Sequence, residues 1–270
     1  SRAFDEFVHF EKELGVDAIY RLTGNRLDPK STLCKIRWFR EHETARYRET
    51  AFFLQSKDYV VSRLTGHLGT DYSDASHSQL MNIHDRNWSE TILAAGGLDR
   101  GKMPPIAAAA DLVGKLCASA AKTMGLPSGI PVVAGGGDGS CAAVGAGAVL
   151  PGDAYHCIGG TSWIAACSAE AIIDPQRRVF NIMGLDGKSF GVFGTIKWAG
   201  SAIQWIGELL GILEVKAAGR KKGFERLDQL ARSAPPGAGG LCFLPYLMGE
   251  RSPIWDPKAR GVFMGMTLSH

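Results

Sequence analysis

No stretch of the 270 residues reaches the roughly eighteen consecutive apolar positions that a membrane-spanning helix needs, and no signal peptide opens the chain. Membrane insertion and export therefore have no support. The six cysteines, at positions 34, 117, 141, 157, 167 and 242, form no C-x-x-C pair and have no histidine at metal-ligand spacing. That argues against a zinc site or a disulfide framework and suits a reducing, cytoplasmic compartment. Excess charge is also scarce: 30 Lys and Arg against 27 Asp and Glu leave +3, and the cations are scattered. The one short run, Arg220, Lys221 and Lys222, reads as solvated surface, so no nucleic-acid partner is expected. Three familiar signatures are missing as well. G-x-x-x-x-G-K-[ST] is absent, Gly135, Gly137 and Ser140 fail G-x-G-x-x-G at its last glycine, and there is no G-x-S-x-G. P-loop, dinucleotide-binding and nucleophilic-serine readings lose their main support.

What is present is an ordinary globular composition, 45% hydrophobic and 21% charged, with 34 glycines. The length allows two domains or one large one. The opening "SRAFDEFVHFEKELG" has no initiating Met and enters at once a pattern with Phe4, Phe7, Val8 and Leu14 on one helical face, which reads as a chain that begins inside a domain. Residues 1–128 read as mainly helical. Gly15, Gly24 and Gly66 are placed to close helices, and Ser31 and Ser56 to cap them. Residues 70–89, "TDYSDASHSQLMNIHDRNWS", are rich in turn formers and hydroxyls between Leu80 and Trp88 and read as a loop with short extended segments.

From there the pattern changes to alternating strands and helices, which implies α/β architecture. "GIPVVAGGGDGS" is a strand and glycine turn, followed by a small-residue helix, "CAAVGAGAV". "GDAYHCIGGTSWIAACS" repeats strand, turn and strand. "RVFNIMGLDGKSFGVFG" is a hairpin around Leu185, Asp186 and Gly187. "AGSAIQWIGELLGIL" is a helix expected to turn Ile203, Ile206, Leu209 and Leu210 inward.

Asp138 is the lone acid in its glycine run. A carboxylate among residues without side chains reads either as a turn residue bonding its own backbone or as a group that another molecule approaches. Two strand-to-glycine turns with polar tips fit phosphate or sugar held by backbone N–H groups. A carboxylate base beside such a turn is what phosphoryl transfer to an alcohol requires.

Five blocks in order, "TDYSDAS…NIHDRNW", "VVAGGGDGSCAAVGAGAV", "GGTSW", "AGSAIQW" and "LPYLMGERSPIWDPKARGVFMGMT", together resemble the FGGY carbohydrate kinases. The resemblance implies two actin-like ATPase (ribonuclease H-like) α/β domains flanking a cleft that holds ATP and sugar. Residues 1–147 would be the latter part of the sugar-binding domain and residues 152–270 the first part of the ATP-binding domain. Asp138 matches the aspartate that takes the proton from the sugar hydroxyl, with Gly139 beside it at the substrate. Thr161, with Gly160 in the same turn, matches a position near the ATP phosphates, and Gly200 and Gln204 match the nucleotide side. ATP and Mg²⁺ are the implied cofactors, a small sugar or polyol is the implied partner, and a homodimer is open. The texture of "LPYLMGERSPIWDP" and "GGTSW" is nearest to members that act on xylulose, with gluconate and glycerol next.

Glu250, Arg251, Asp256 and Arg260 read as framing, in a buried turn organised by Pro253 and Pro257 with ion pairs and Trp255 as anchor. His77 and His84 read as loop histidines bonded to backbone. Two departures stand out. Residue 139 is Gly where many members carry Asn or Gln, so one amide toward the sugar is missing. The family's early D-x-G-T hairpin and late adenosine loop are also missing, which makes these residues read as the middle of a kinase. The rival of another class is a noncatalytic actin-like sugar-binding module, and an upstream D-x-G-T segment in the reading frame would decide against it.

Overall fold

The computed structural model describes residues 1–213, 220–268 and 270. The chain divides into two compact units, residues 1–155 with 165–193, and residues 156–164 with 194–270. Among the described residues no helix is long and apolar enough to cross a membrane.

Local signals set most helix ends in the first unit. Gly24 (φ +69°) and Gly66 (φ +83°) take the left-handed conformation after Val16–Thr23 and Ser56–Thr65, each N–H bonding back four residues. Gly15 differs. It follows the capping residue Leu14 of Phe4–Glu13 and caps the start of the next helix. Ser31 Oγ accepts from Cys34 N at the start of Thr32–His42. Ser56 does not cap its helix. The cap is one residue earlier, where Gln55 and Asp58 form a reciprocal capping box.

Phe10, Ile19, Leu33, Met81, Ile92 and Met183 are at the centre of the core of this unit. Along Phe4–Glu13 and its caps the inward stripe is Ala3, Phe7, Phe10 and Leu14, spaced i, i+4, i+7 and i+11, with Phe7 and Leu14 half-buried, whereas Phe4 and Val8 are exposed. The face expected from Phe4, Phe7, Val8 and Leu14 is thus rotated. Residues 70–89 also differ from expectation. They contain a helix, Tyr72–His77, between two-residue strands. Its Asp71 cap accepts from the amides of Ser73 (2.8 Å) and Asp74 (3.4 Å), and burial of Ser73, Ala75 and Ser76 supplies what six residues lack in intrinsic helix stability.

Strands Ala154–Ile158, Ser162–Ser168, Phe190–Ile196 and Phe180–Met183 form a four-stranded sheet in that order. The last two pair antiparallel, Phe190 opposite Met183 and Phe193 opposite Phe180, joined by the expected turn with Gly187 at φ +66°.

In the second unit the Gly200–Leu209 helix buries Ala202 and Gly207, while Ile203, Leu209 and Leu210 are exposed and Ile206 is half-buried. The inward set expected from its large apolar residues is therefore corrected. The helix approaches its surroundings through small residues: a Cβ at Gly200 would lie 2.5 Å from the Gly159 carbonyl, and one at Gly207 would lie 2.6 Å from Leu213. Lys221 and Lys222 are exposed, and the Arg220 side chain lies outside the described residues.

Gly200→Ala should cost about 1–3 kcal/mol, because its new methyl meets backbone that cannot move aside. Gly145→Ala meets nothing within 4 Å at a helical position and should be neutral or stabilising by up to about 1 kcal/mol. Urea midpoints of the two variants check the contrast.

Candidate active site

The first glycine turn leaves strand Pro131–Val133 and enters the Asp138–Gly145 helix with Gly137 as N-cap. Gly135, at φ +70°, makes the reversal. Backbone bonds tie its start, from Ala134 N to Asp111 O (3.0 Å) and from Gly135 N to Ala109 O (2.9 Å). Leu185, at the hairpin tip, packs where a Gly136 side chain would be, and its carbonyl accepts from Ala109 N. Asp138 is the first helical residue. Its carboxylate is exposed, favoured by the positive end of the helix, and accepts from Gly139 N at 2.8 Å. The turn-residue bond and the open approach thus coexist. Nothing lies closer than 3.8 Å to a Cβ at Gly139, so packing does not demand glycine there.

Beneath the turn is a charge cluster that the sequence reading missed. Lys57 Nζ lies 2.6 Å from Asp58, 3.1 Å from Asp71 and 3.7 Å from Asp74, and donates to Ala134 O at 3.2 Å. Asp71 and Asp58 are fully buried. Burial works to lower the Lys57 ammonium, but its hydrogen bond to Asp58 and the charges of Asp71 and Asp58 outweigh it, so Lys57 lies above the ordinary lysine value. Asp74 is pushed up to about 6, first by burial and then by the charge of Asp71, against the pull of Lys57. Gly137 N donates to Ser73 Oγ (2.8 Å), which donates to Asp71 Oδ2 (2.5 Å). The sequence signal available was a Lys-Asp pair followed by the acid- and hydroxyl-rich "TDYSDAS".

His84 bonds the carbonyl of Arg21 at 2.9 Å, as expected of a backbone-bonded histidine. His77 ends the Tyr72–His77 helix, where burial lowers its imidazole and the charge of Asp138 acts in the opposite direction. A pocket of about 220 Å³ lies along the Asp138–Gly145 helix, lined by Ser140, Val144, Tyr155 and Phe193, with Asp138 outside its lining.

In the second unit Gly159, Gly160 and Thr161 form the other turn, closed by Gly159 N to Thr161 O (2.8 Å). Its carbonyls take the first amides of the next helix: Gly200 N to Gly159 O at 2.9 Å, and Ala199 N and Ser201 N to Gly160 O, each at 3.1 Å. Thr161 is exposed. Gly160, Thr161 and Gly200 are therefore together, and Gln204, one turn further on, donates to Glu208 at 2.8 Å. His156 and Ser162, missed in the sequence reading, are hydrogen-bonded across the mouth of this turn at 2.7 Å.

The Glu250 segment is framing of a different kind from the one expected. Glu250 is buried and Oε1 accepts from the amides of Lys197 and Arg251, both at 2.6 Å. Arg251, Asp256 and Arg260 are exposed, Asp256 accepting from Lys258 N and Arg260 donating to the carbonyls of Pro257 and Ala259. Among the described residues backbone amides, rather than ion pairs, hold Oε1 of this buried carboxylate, and its Oε2 has no hydrogen-bond partner.

The raised Asp74 value has a pH consequence. A carboxyl that holds its proton more tightly when folded contributes stability that is fully present below the unfolded value of about 4 and is lost as pH rises through about 6. Asp74→Asn should therefore gain stability relative to the parent between pH 4.5 and pH 7.5, read as the difference in urea unfolding at the two pH values. A constant difference would contradict the assignment.

The FGGY family of carbohydrate kinases matches through its N-terminal domain over residues 1–145 and through its C-terminal domain over residues 156–270. The xylulose kinase of Bacillus subtilis (strain 168) is 33% identical over 270 residues, which are 100% of this chain and 52% of that protein. The gluconokinase of the same organism is 28% identical over 262 residues, 96% of this chain and 51% of that protein. Among solved structures, the xylulose kinase from Rhodospirillum rubrum superposes with a TM-score of 0.89 at 32% identity, covering 100% of this chain and 53% of that one. The chain spans about half the length of the relatives it matches. Matched by both family domains and sharing the two-domain, actin-like (ribonuclease H-like) α/β fold of the sugar kinases, the chain belongs to the FGGY family of carbohydrate kinases.

Proposed function

We propose that the protein is an ATP-dependent kinase of a small sugar, with D-xylulose as acceptor and xylulose 5-phosphate as product. The observation that carries this reading is the exposed Asp138 carboxylate at the end of a fixed glycine turn, in a chain whose relatives include xylulose kinases at 33% identity. Asp138 acts as general base. As the sugar oxygen forms its bond to the γ-phosphorus, the bond from that phosphorus to the ADP oxygen breaks, the electron pair leaves with ADP, and the hydroxyl proton passes to the Asp138 carboxylate.

Thr161 and Gly160 hold the transferring phosphate through a hydroxyl and backbone N–H groups, and Gly200 and Gln204 line the nucleotide side. Among the described residues no group of three His, Cys, Asp or Glu could cage a metal. Mg²⁺ would arrive on the ATP phosphates, its usual mode with few protein ligands, and would neutralise phosphate charge there. The proposal includes the division of the chain at 147 and 152, close to the family matches ending at 145 and starting at 156, a cytoplasmic location, and a homodimer as the assembly to test.

Gluconate is the second acceptor to consider. A gluconokinase is 28% identical, and Gly139 leaves open the place beside the base where many family members carry an amide. Assay of the full-length protein against pentuloses, hexonates and glycerol separates these readings, and a protein that binds sugar without turning over ATP would support the noncatalytic module instead.

In that assay Asp138→Asn should keep ATP and sugar binding while lowering kcat by roughly two to four orders of magnitude. An unchanged kcat would remove Asp138 from the chemistry. Thr161→Ala should depress kcat/KM for ATP more than sugar affinity. Equal losses would place Thr161 elsewhere.

A further inference from the structure

Two of the three carboxylates around Lys57 have local explanations. Asp58 closes the capping box of Ser56–Thr65, accepting from Gln55 N at 3.0 Å, and Asp71 caps Tyr72–His77. Lys57 has none. Its ammonium links the two caps, reaches Asp74 and then leaves both helices to bond Ala134 O, the last residue before the glycine turn. The far end of the same turn, Gly137 N, is held by Ser73 Oγ, which is itself oriented by Asp71. One charge cluster therefore grips both ends of Gly135, Gly136 and Gly137, three residues whose own backbone preferences are the weakest in the chain. Asp138 is the next residue.

A half-buried cation among three acids, two of them fully buried, is a costly way to gain stability alone, since apolar residues of similar volume often do as well or better. Fixing one backbone course is a use that such a cluster serves better. A displacement of the reacting groups by about 1 Å can cost about a hundredfold in rate.

We infer that Lys57, with Ser73 and the carboxylates of Asp58, Asp71 and Asp74, is a positioning device that sets the aim of Asp138. The inference rests on reading Asp138 as the base. Lys57 and Ser73 act through the turn, without touching substrate.

The test uses the full-length protein and the sugar on which it is most active. Lys57→Met, close in length but uncharged, should lower kcat by about 10- to 100-fold with KM for sugar and ATP changed less than about threefold. It should also speed deuterium exchange in the peptide covering residues 134–138 relative to other peptides. Lys57→Arg should recover part of both, since it returns the charge with a different shape. Ser73→Ala removes one hydroxyl from the Gly137 end and should lower kcat about tenfold with KM held, which keeps the test open if Lys57→Met does not fold. Unchanged kcat and unchanged exchange at residues 134–138 in folded Lys57→Met, or unchanged kcat in Ser73→Ala, would overturn the inference while Asp138→Asn remains inactive. An active Asp138→Asn enzyme would overturn the base assignment itself.

Discussion

The ammonium of Lys57 joins segments that are distant in sequence: its own helix through Asp58, the Tyr72–His77 helix through Asp71 and Asp74, and the end of strand Pro131–Val133 through the Ala134 carbonyl. Asp58 and Asp71 also accept backbone amides at helix starts, which offsets part of the cost of burying them. Asp74 accepts no such bond from its own helix start, and it is the carboxyl displaced upward, to about 6. Three acids and one cation cannot all ionise at equal cost in one buried place, and the excess is borne by the member with the fewest donors.

The glycine turn above the cluster is shaped by what packs against it. Leu185 occupies the space of a Gly136 side chain, and a Cβ at Gly137 would lie 3.1 Å from Asp74 Oδ1 and 3.3 Å from Ser73 Oγ. Only Gly135 requires glycine for its conformation, at φ +70°. The other two are glycine because neighbours have taken the room, and Asp138 is brought to the surface by the same crowding that strips its predecessors.

This distinction bears on what the sequence could disclose. Both glycine turns, the strands before them and the Leu185–Gly187 hairpin are legible because their signals are local, spanning a few adjacent residues. Asp138 stood out for the same reason. The Tyr72–His77 helix was hidden because five of its six residues, all but Ala75, are polar with little helical preference, and the segment gains its helix from burial against other segments. The buried face of Gly200–Leu209 was misread because large apolar residues are normally the contact, whereas here Gly200 and Gly207 permit an approach that only small residues allow. The Lys57 cluster leaves only a faint trace in the sequence, a Lys-Asp pair and the acid- and hydroxyl-rich segment after it. Residues 57, 71, 74 and 134 acquire a common purpose only once the chain has folded.

The two turns reach rigidity by different means. The first adds a grip by side chains, an ammonium, a hydroxyl and a leucine methyl, to the backbone bonds at Ala134 and Gly135. The second is held by main chain, with the carbonyls of Gly159 and Gly160 bonded to the amides of residues 199–201. A side-chain grip responds to charge and therefore to pH, whereas a backbone grip responds to volume, since a Cβ at position 200 would lie 2.5 Å from the Gly159 carbonyl oxygen. On the proposed reading, a base that must be aimed and phosphate oxygens that must be enclosed would make different demands. A carboxylate is steered by fixing where its backbone begins, which side chains of several segments can do together. An oxygen cradle needs N–H groups in a fixed array, and only a rigid main chain provides one.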